Sequence, residues 1–161
     1  MEDKSFTHVE KPVIIPEGWE TKMLRRRILV VDDDDDIRRF NAEALASSGY
    51  HVEAAVDGAS GWEALNANRY DLLITDNNMP KLSGVELIKK LNAARMAVPV
   101  ILASGLEHPH EVAELRLAAT LPKPFTLDEL LGTVKKVLDE AGGGAWQAPA
   151  SNGPPTDPLR V

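Results

Sequence analysis

Along the middle of the chain, short apolar runs alternate with stretches whose apolar residues recur at helical spacing. Ile28–Val31 is wholly apolar, as expected of a strand buried on both faces. After it, Ile37, Phe40, Ala44 and Leu45 recur at three and four residues and predict a helix, closed by Gly49 in the usual C-terminal position. His51–Val56 reads as a second strand and Gly61–Ala67 as a second helix; Leu72–Thr75 gives a third strand, and Val85, Leu87, Ile88 and Leu91 mark a third helix. Val98–Ala103 is a fourth strand, a weaker helix follows around Glu111–Ala118, and Ala119–Leu121 is the fifth strand. In the final helix Leu127, Leu130, Leu131, Val134, Val137, Leu138 and Ala141 form one apolar stripe, with Thr126 and Glu129 at the spacing of a capping box. Five strand-then-helix units predict an α/β fold, a five-stranded parallel sheet with helices on both faces.

The ends of the chain differ from this middle. Residues 1–24 have no sustained periodicity and contain Pro12, Pro16 and Gly18, which reads as a partly disordered extension with Val13, Ile14, Ile15 and Trp19 as its anchors. From Gly142 to residue 161 the composition turns to Gly, Pro, Ser and Asn, as in a disordered tail. The expected domain therefore covers 25–141, with no output domain after it.

Composition narrows the functional classes. The 161 residues are 43% hydrophobic and 27% charged, a balance typical of globular proteins. The net charge of −7 and the lack of basic clusters beyond Arg25-Arg26-Arg27 work against direct nucleic-acid binding. There is no cysteine, which excludes disulfides, thiolate metal sites and Cys nucleophiles. No apolar run approaches the roughly 20 residues that span a bilayer, and no secretory leader is visible, so a cytoplasmic location is expected.

In parallel sheets the ligand crevice lies outside the carboxyl ends of the strands. The first strand ends in Asp32-Asp33, which open an acidic run continuing through Asp36. Asp34, Asp35 and Asp36 suit a solvated helix start, where carboxylates complement the dipole. Asp32 and Asp33 leave a buried strand directly. Asp76 ends the third strand, within Thr75-Asp76-Asn77-Asn78-Met79-Pro80. Gathered at one crevice, these acids cannot all ionise comfortably without a cation, and a hard divalent ion such as Mg²⁺ suits an oxygen-rich site. Ser104 follows the fourth strand and Lys123 the fifth. A hydroxyl and an ammonium there would complement phosphoryl oxygens. His108 and His110 read as loop residues beside Pro109 rather than as ligands.

Taken together, Ile28-Leu29-Val30-Val31-Asp32-Asp33, Asp76–Pro80 with Gly84, Pro99–Gly105 and Lys123-Pro124-Phe125 resemble the receiver domain of bacterial response regulators. The resemblance spans about 25–141 and implies the flavodoxin-like strand order 2-1-3-4-5. It implies that Asp76 is the phosphoacceptor, taking an acyl phosphate from a phosphohistidine on a sensor histidine kinase or a histidine phosphotransfer protein. Asp33, Asp76 and the main-chain carbonyl of Asn78 would hold Mg²⁺, with Asp32 assisting through water. Ser104 resembles the switch hydroxyl and Lys123 the ammonium that pairs with the phosphoryl group. The peptide before Pro124 is commonly cis in this family.

Three positions depart from the pattern. Thr120 stands where many members carry a Tyr or Phe that changes rotamer on activation. The stretch from Ser104 to Lys123 is shorter than usual, so the fourth helix is expected to be short or displaced. Leu106, two residues after Ser104, offers no hydrogen bond to an attacking water, which implies slow loss of the phosphoryl group. These departures place the altered step in output rather than in phosphorylation.

Two other functions fit parts of the sequence. An aspartate-nucleophile phosphatase would place its nucleophile after the first strand and usually needs a cap, for which this chain has no obvious segment. A receiver-like adaptor would act without phosphorylation. The expected molecule is not an enzyme on external substrates but a stand-alone switch whose kinase and downstream target the sequence does not name.

Overall fold

The computed structural model describes residues 6–9, 26–105 and 109–142. A six-stranded sheet lies at its centre. The strands are β1 (Phe6–Val9), β2 (Arg27–Val31), β3 (His51–Ala55), β4 (Leu72–Asp76), β5 (Val100–Ser104) and β6 (Ala119–Pro122). Their order is β1-β3-β2-β4-β5-β6. β2 to β6 are parallel and follow the expected order 2-1-3-4-5. β1 was not anticipated: within the stretch read as an extension, it pairs antiparallel with the outer edge of β3, Phe6 opposite Ala55 and Val9 opposite Val52. Four residues give too short a window for alternation to register. The anchors Val13, Ile14, Ile15 and Trp19, like residues 143–161, lie outside the described residues.

Helices α1 (Asp35–Ser47), α2 (Gly58–Ala67), α3 (Gly84–Ala93), α4 (Pro109–Ala113) and α5 (Leu127–Gly142) connect and flank the strands. On one face Ala42, Leu45 and Ala46 of α1 and Leu130, Val134, Val137 and Leu138 of α5 close over Ile28, Val30, Leu72, Ile74 and Ile101. On the other, Ala64 and Leu65 of α2 and Leu87, Ile88 and Leu91 of α3 close over Leu29, Val31, Leu73 and Leu102. β2 and β4 are thus covered on both sides, which explains their unbroken apolar runs. Each fully buried Leu or Ile adds roughly 2 kcal/mol of transfer free energy.

Local signals set the helix ends. Asp34 caps α1, its carboxylate accepting from the N–H groups of Asp36 and Ile37. Gly49 follows that helix with φ 100°, a left-handed conformation that favours glycine. The expected Thr126–Glu129 capping box is present at α5, at 2.7 Å and 3.1 Å.

Two helical expectations are refined by the structure. The spacing located α1 correctly but mixes its faces: Ile37 and Phe40 are exposed, whereas Leu45 of the same set turns inward with Asn41, Ala42 and Ala46. The fourth helix is displaced to Pro109–Ala113 and is only five residues long, so Glu114–Ala118 are not helical. Its shortness was expected; its end at Ala113 was not. Thr120, on β6 opposite Leu102, is exposed.

Candidate functional site

The strand order reverses at β2, flanked by β3 and β4, and the crevice expected there holds the acids. Asp32 and Asp33 leave β2; Asp76 is the last residue of β4. Carboxylate oxygens of all three lie within 4.8 Å of one another. Asp32 and Asp76 are buried, whereas Asp33 faces solvent. Three mutually close carboxylates that offer only oxygen suit a hard cation, and their arrangement fits Mg²⁺.

Lys123, just after β6, reaches back into the cluster. Its Nζ donates to Asp76 Oδ1 at 3.0 Å and lies 3.7 Å from Asp32 Oδ2. Burial pulls its pKa down, but the bond to Asp76 and the charges of Asp32 and Asp76 leave it above the usual lysine value. Burial also dominates at Asp32, holding its carboxyl above the ordinary aspartate range despite a hydrogen bond from Asp34 N–H and the nearby Lys123. The cis peptide implied by the resemblance lies between Lys123 and Pro124.

The loop after Asp76 is fixed from both ends. The Asn77 carbonyl accepts from Gly84 N–H at 3.0 Å and its side-chain Oδ1 from Val85 N–H at 3.1 Å. Gly84 starts α3 directly against the Asp76 backbone, where an added Cβ would overlap the Asp76 carbonyl oxygen. Lys81, in the left-handed region at φ 68°, places its ammonium 3.4 Å from Asp57 at the start of α2. Asn78 within this loop is exposed.

Ser104 is the final residue of β5, one position beyond the Ala103 that pairs with Asp76, and it is buried. Its carbonyl accepts from Lys123 N–H at 3.0 Å, which ties the last two strand ends together. The expected residues Asp32, Asp33, Asp76, Ser104 and Lys123 are therefore all found at adjacent strand ends. Leu106 lies outside the described residues. Sequence reasoning missed Arg38, whose guanidinium contacts both the Asp32 carbonyl and Asp35; the Asp35/Arg38 spacing of three on a helix was the available signal.

Comparison with known proteins agrees with this geometry. The family described as the response regulator receiver domain matches residues 28–135. Among curated relatives, the response regulator receiver protein CpdR of Brucella abortus is 36% identical over 117 residues, covering 70% of this chain and 97% of its own. The transcriptional regulatory protein PrrA of Mycobacterium tuberculosis is 39% identical over 129 residues, 78% of this chain but only 55% of its own length. Among solved structures, the response regulator TrrA of Thermotoga maritima, in complex with Mg(2+)-BeF, is 32% identical with a TM-score of 0.63, covering 70% of this chain and 98% of that one. The chemotaxis response regulator CheY4 of Vibrio cholerae gives 30% identity and a TM-score of 0.65, with coverage of 70% and 98%. The chain belongs to the response regulator receiver domain family.

Proposed function

We propose that the chain is a phosphoryl switch in which Asp76 accepts a phosphoryl group from a phosphohistidine on a sensor kinase or phosphotransfer protein. The observation that carries this reading is the contact of Lys123 with Asp76 inside a cluster of three carboxylates. An Asp76 carboxylate oxygen attacks phosphorus, the P–N bond breaks, and the imidazole keeps the electron pair and takes a proton from solvent. The product is an acyl phosphate on Asp76, lost later to water as inorganic phosphate.

Mg²⁺, held by Asp33, Asp76 and the Asn78 main-chain carbonyl with help from Asp32, would neutralise the carboxylates and the phosphoryl oxygens. Lys123 already sits at the acceptor and would pair with a phosphoryl oxygen once Asp76 is esterified. Ser104, at the end of the neighbouring strand, would donate its hydroxyl to another. The reaction is stoichiometric and self-catalysed, so no external substrate is turned over.

Among the described residues an apolar groove offers a donor protein an approach to this acceptor. This groove of about 510 Å³ beside Lys123 is lined by Ile37, Phe40, Pro124, Phe125 and Leu127, and the exposed faces of Ile37, Phe40 and Leu127 border it. That continuity with Lys123 supports docking of the phosphodonor there.

At the other side of the sheet, a five-residue α4 and an exposed Thr120 leave no aromatic rotamer to report the modified state. Output would run through a separate target or an onward phosphoryl relay. Hydrogen exchange of free and phosphorylated protein tests this: protection changes around 111–118 of the kind seen in members with a full helix would count against it.

The deciding experiment is incubation with acetyl phosphate and Mg²⁺, read by intact mass. One phosphoryl group per chain is expected, lost with Asp76→Asn. Labelling that survives this substitution, or turnover of a phosphate ester abolished by Asp32→Asn, would overturn the assignment.

A further inference from the structure

We infer that Arg38 is a positioning residue for the metal site: it holds the Asp32–Asp33 turn in the shape that presents both carboxylates. The inference rests on the reading that the acidic cluster takes Mg²⁺.

Asp32 is the first residue past β2. Its N–H still donates to the Ala55 carbonyl of β3 at 3.2 Å, but its own carbonyl has left the ladder. A buried main-chain carbonyl needs a donor. Arg38, one turn into α1, reaches back and donates Nη1–H to that oxygen at 2.9 Å. The other arm of the fork pairs with Asp35 in the first turn. The Arg38 side chain is only 11% exposed, against 78% for Asp35, so the carbonyl contact is the sheltered one. From the opposite side Asp34 N–H donates to Asp32 Oδ1 at 2.9 Å and fixes the carboxylate itself. Carbonyl and carboxylate of Asp32 are thus each held by a separate donor, and Asp33 projects outward from the segment between them.

An ordinary helical ion pair would need only Asp35 and would leave the metal site untouched. A planar guanidinium bridging the strand end and the helix start does more, because five donors in a fixed fork define direction as well as charge. Groups that orient ligands from behind typically cost ten-fold or more in metal affinity when removed.

The sign of the effect separates positioning from charge. Removing Arg38 leaves Asp35 unpaired and makes the loop more negative, which by Coulomb's law alone would tighten cation binding. Positioning gives the opposite result. Calorimetric Mg²⁺ titration of Arg38→Met is therefore expected to show a dissociation constant raised by at least about ten-fold. The Arg38→Lys variant, which keeps the charge and loses the fork, should recover only part of that loss. Acetyl phosphate labelling of either variant should return to the wild-type rate at saturating Mg²⁺, which a general loss of folded structure would not allow.

Unchanged or tighter Mg²⁺ binding in Arg38→Met overturns the inference while leaving Asp76 as acceptor. Should Arg38→Met fail to fold, Arg38→Lys decides, and wild-type affinity in it is equally fatal. A wild-type chain that binds no Mg²⁺ overturns this inference and the proposed Mg²⁺ dependence together. Wild-type protein that binds Mg²⁺ but takes no label sinks only the phosphoryl switch.

Discussion

Lys123 Nζ stands 3.0 Å from Asp76 Oδ1, an ammonium from the end of β6 bonded to a carboxylate at the end of β4, two strands away in the sheet. The pair is partly buried, so its geometry is less screened than that of a surface ion pair. Replacing Lys123 with Met removes a cation from the acidic cluster and a donor from the position a phosphoryl group would occupy. The two losses act in opposite directions. Mg²⁺ binding is expected to be retained or tightened, because a competing cation has gone. Acetyl phosphate labelling at saturating Mg²⁺ should slow on the order of 100-fold, the usual cost of one lost charge-stabilising donor. Labelling at the wild-type rate would remove Lys123 from the chemistry.

Phe40 is 57% exposed on the side of α1 that faces away from the core, beside the groove that leads to Lys123. Truncating an exposed side chain costs little stability, within about 0.5 kcal/mol. A central aromatic anchor at a protein interface is commonly worth enough to weaken binding about ten-fold or more. Phe40→Ala should therefore slow phosphoryl transfer from a phosphohistidine protein that labels the wild type, at sub-saturating donor, while leaving acetyl phosphate labelling and the melting temperature unchanged. Equal losses with both donors would place Phe40 in the acceptor site and not in docking.

Phe40 also shows where the sequence was informative and where it misled. Ile37, Phe40, Ala44 and Leu45 announced a helix correctly, because spacing of three and four is what any helical face produces. They did not say which face is buried, since Asn41 and Ala42, which do turn inward, carry no hydrophobic emphasis. The site was legible because each of its residues leaves a recognisable buried run, and parallel topology brings such ends together without further information. β1 was not legible: four residues pairing with the β3 edge owe their place to β3, not to a pattern of their own. For Arg38 the spacing from Asp35 signals only a helical ion pair, because its other partner, the Asp32 main-chain carbonyl, is advertised by no residue type.

Gly84 is where the helix after the acceptor begins, packed so closely that a side chain would strike the Asp76 carbonyl oxygen. That oxygen belongs to backbone and cannot swing aside. Gly84→Ala must push α3 or the end of β4 outward, against an ordinary overpacking cost of about 1–3 kcal/mol. Urea denaturation should show that loss. Because the displaced atoms belong to the acceptor residue, the labelling rate should fall as well under conditions where the variant is fully folded. Loss of stability with a wild-type labelling rate would mean that the strain is absorbed in α3 alone.

Glu53 is a buried acid far from the acceptor chemistry, facing the same side of the sheet as Leu29, with which it is paired in register. The Tyr70 hydroxyl donates to Glu53 Oε2, and Arg27 Nη2 donates to Oε1 at 2.7 Å while its guanidinium lies 5.3 Å from the Tyr70 ring centroid. Burial pushes the Glu53 carboxyl up, but the two hydrogen bonds and the Arg27 charge outweigh it and hold it below the usual glutamate value. A depressed folded-state value means that the native state resists protonation. The stabilisation is present above the unfolded value of 4.5 and is lost as pH falls through the lower folded value. Glu53→Gln keeps the shape and removes the charge, so it should cost about 1–3 kcal/mol at neutral pH. The gap from the wild type should narrow as the pH drops below 4.5, because the wild type then loses the same charge. Urea titrations of both proteins across that range supply the measurement. A gap that stays constant with pH would show that packing at Glu53, not its ionised carboxylate, provides the stabilisation.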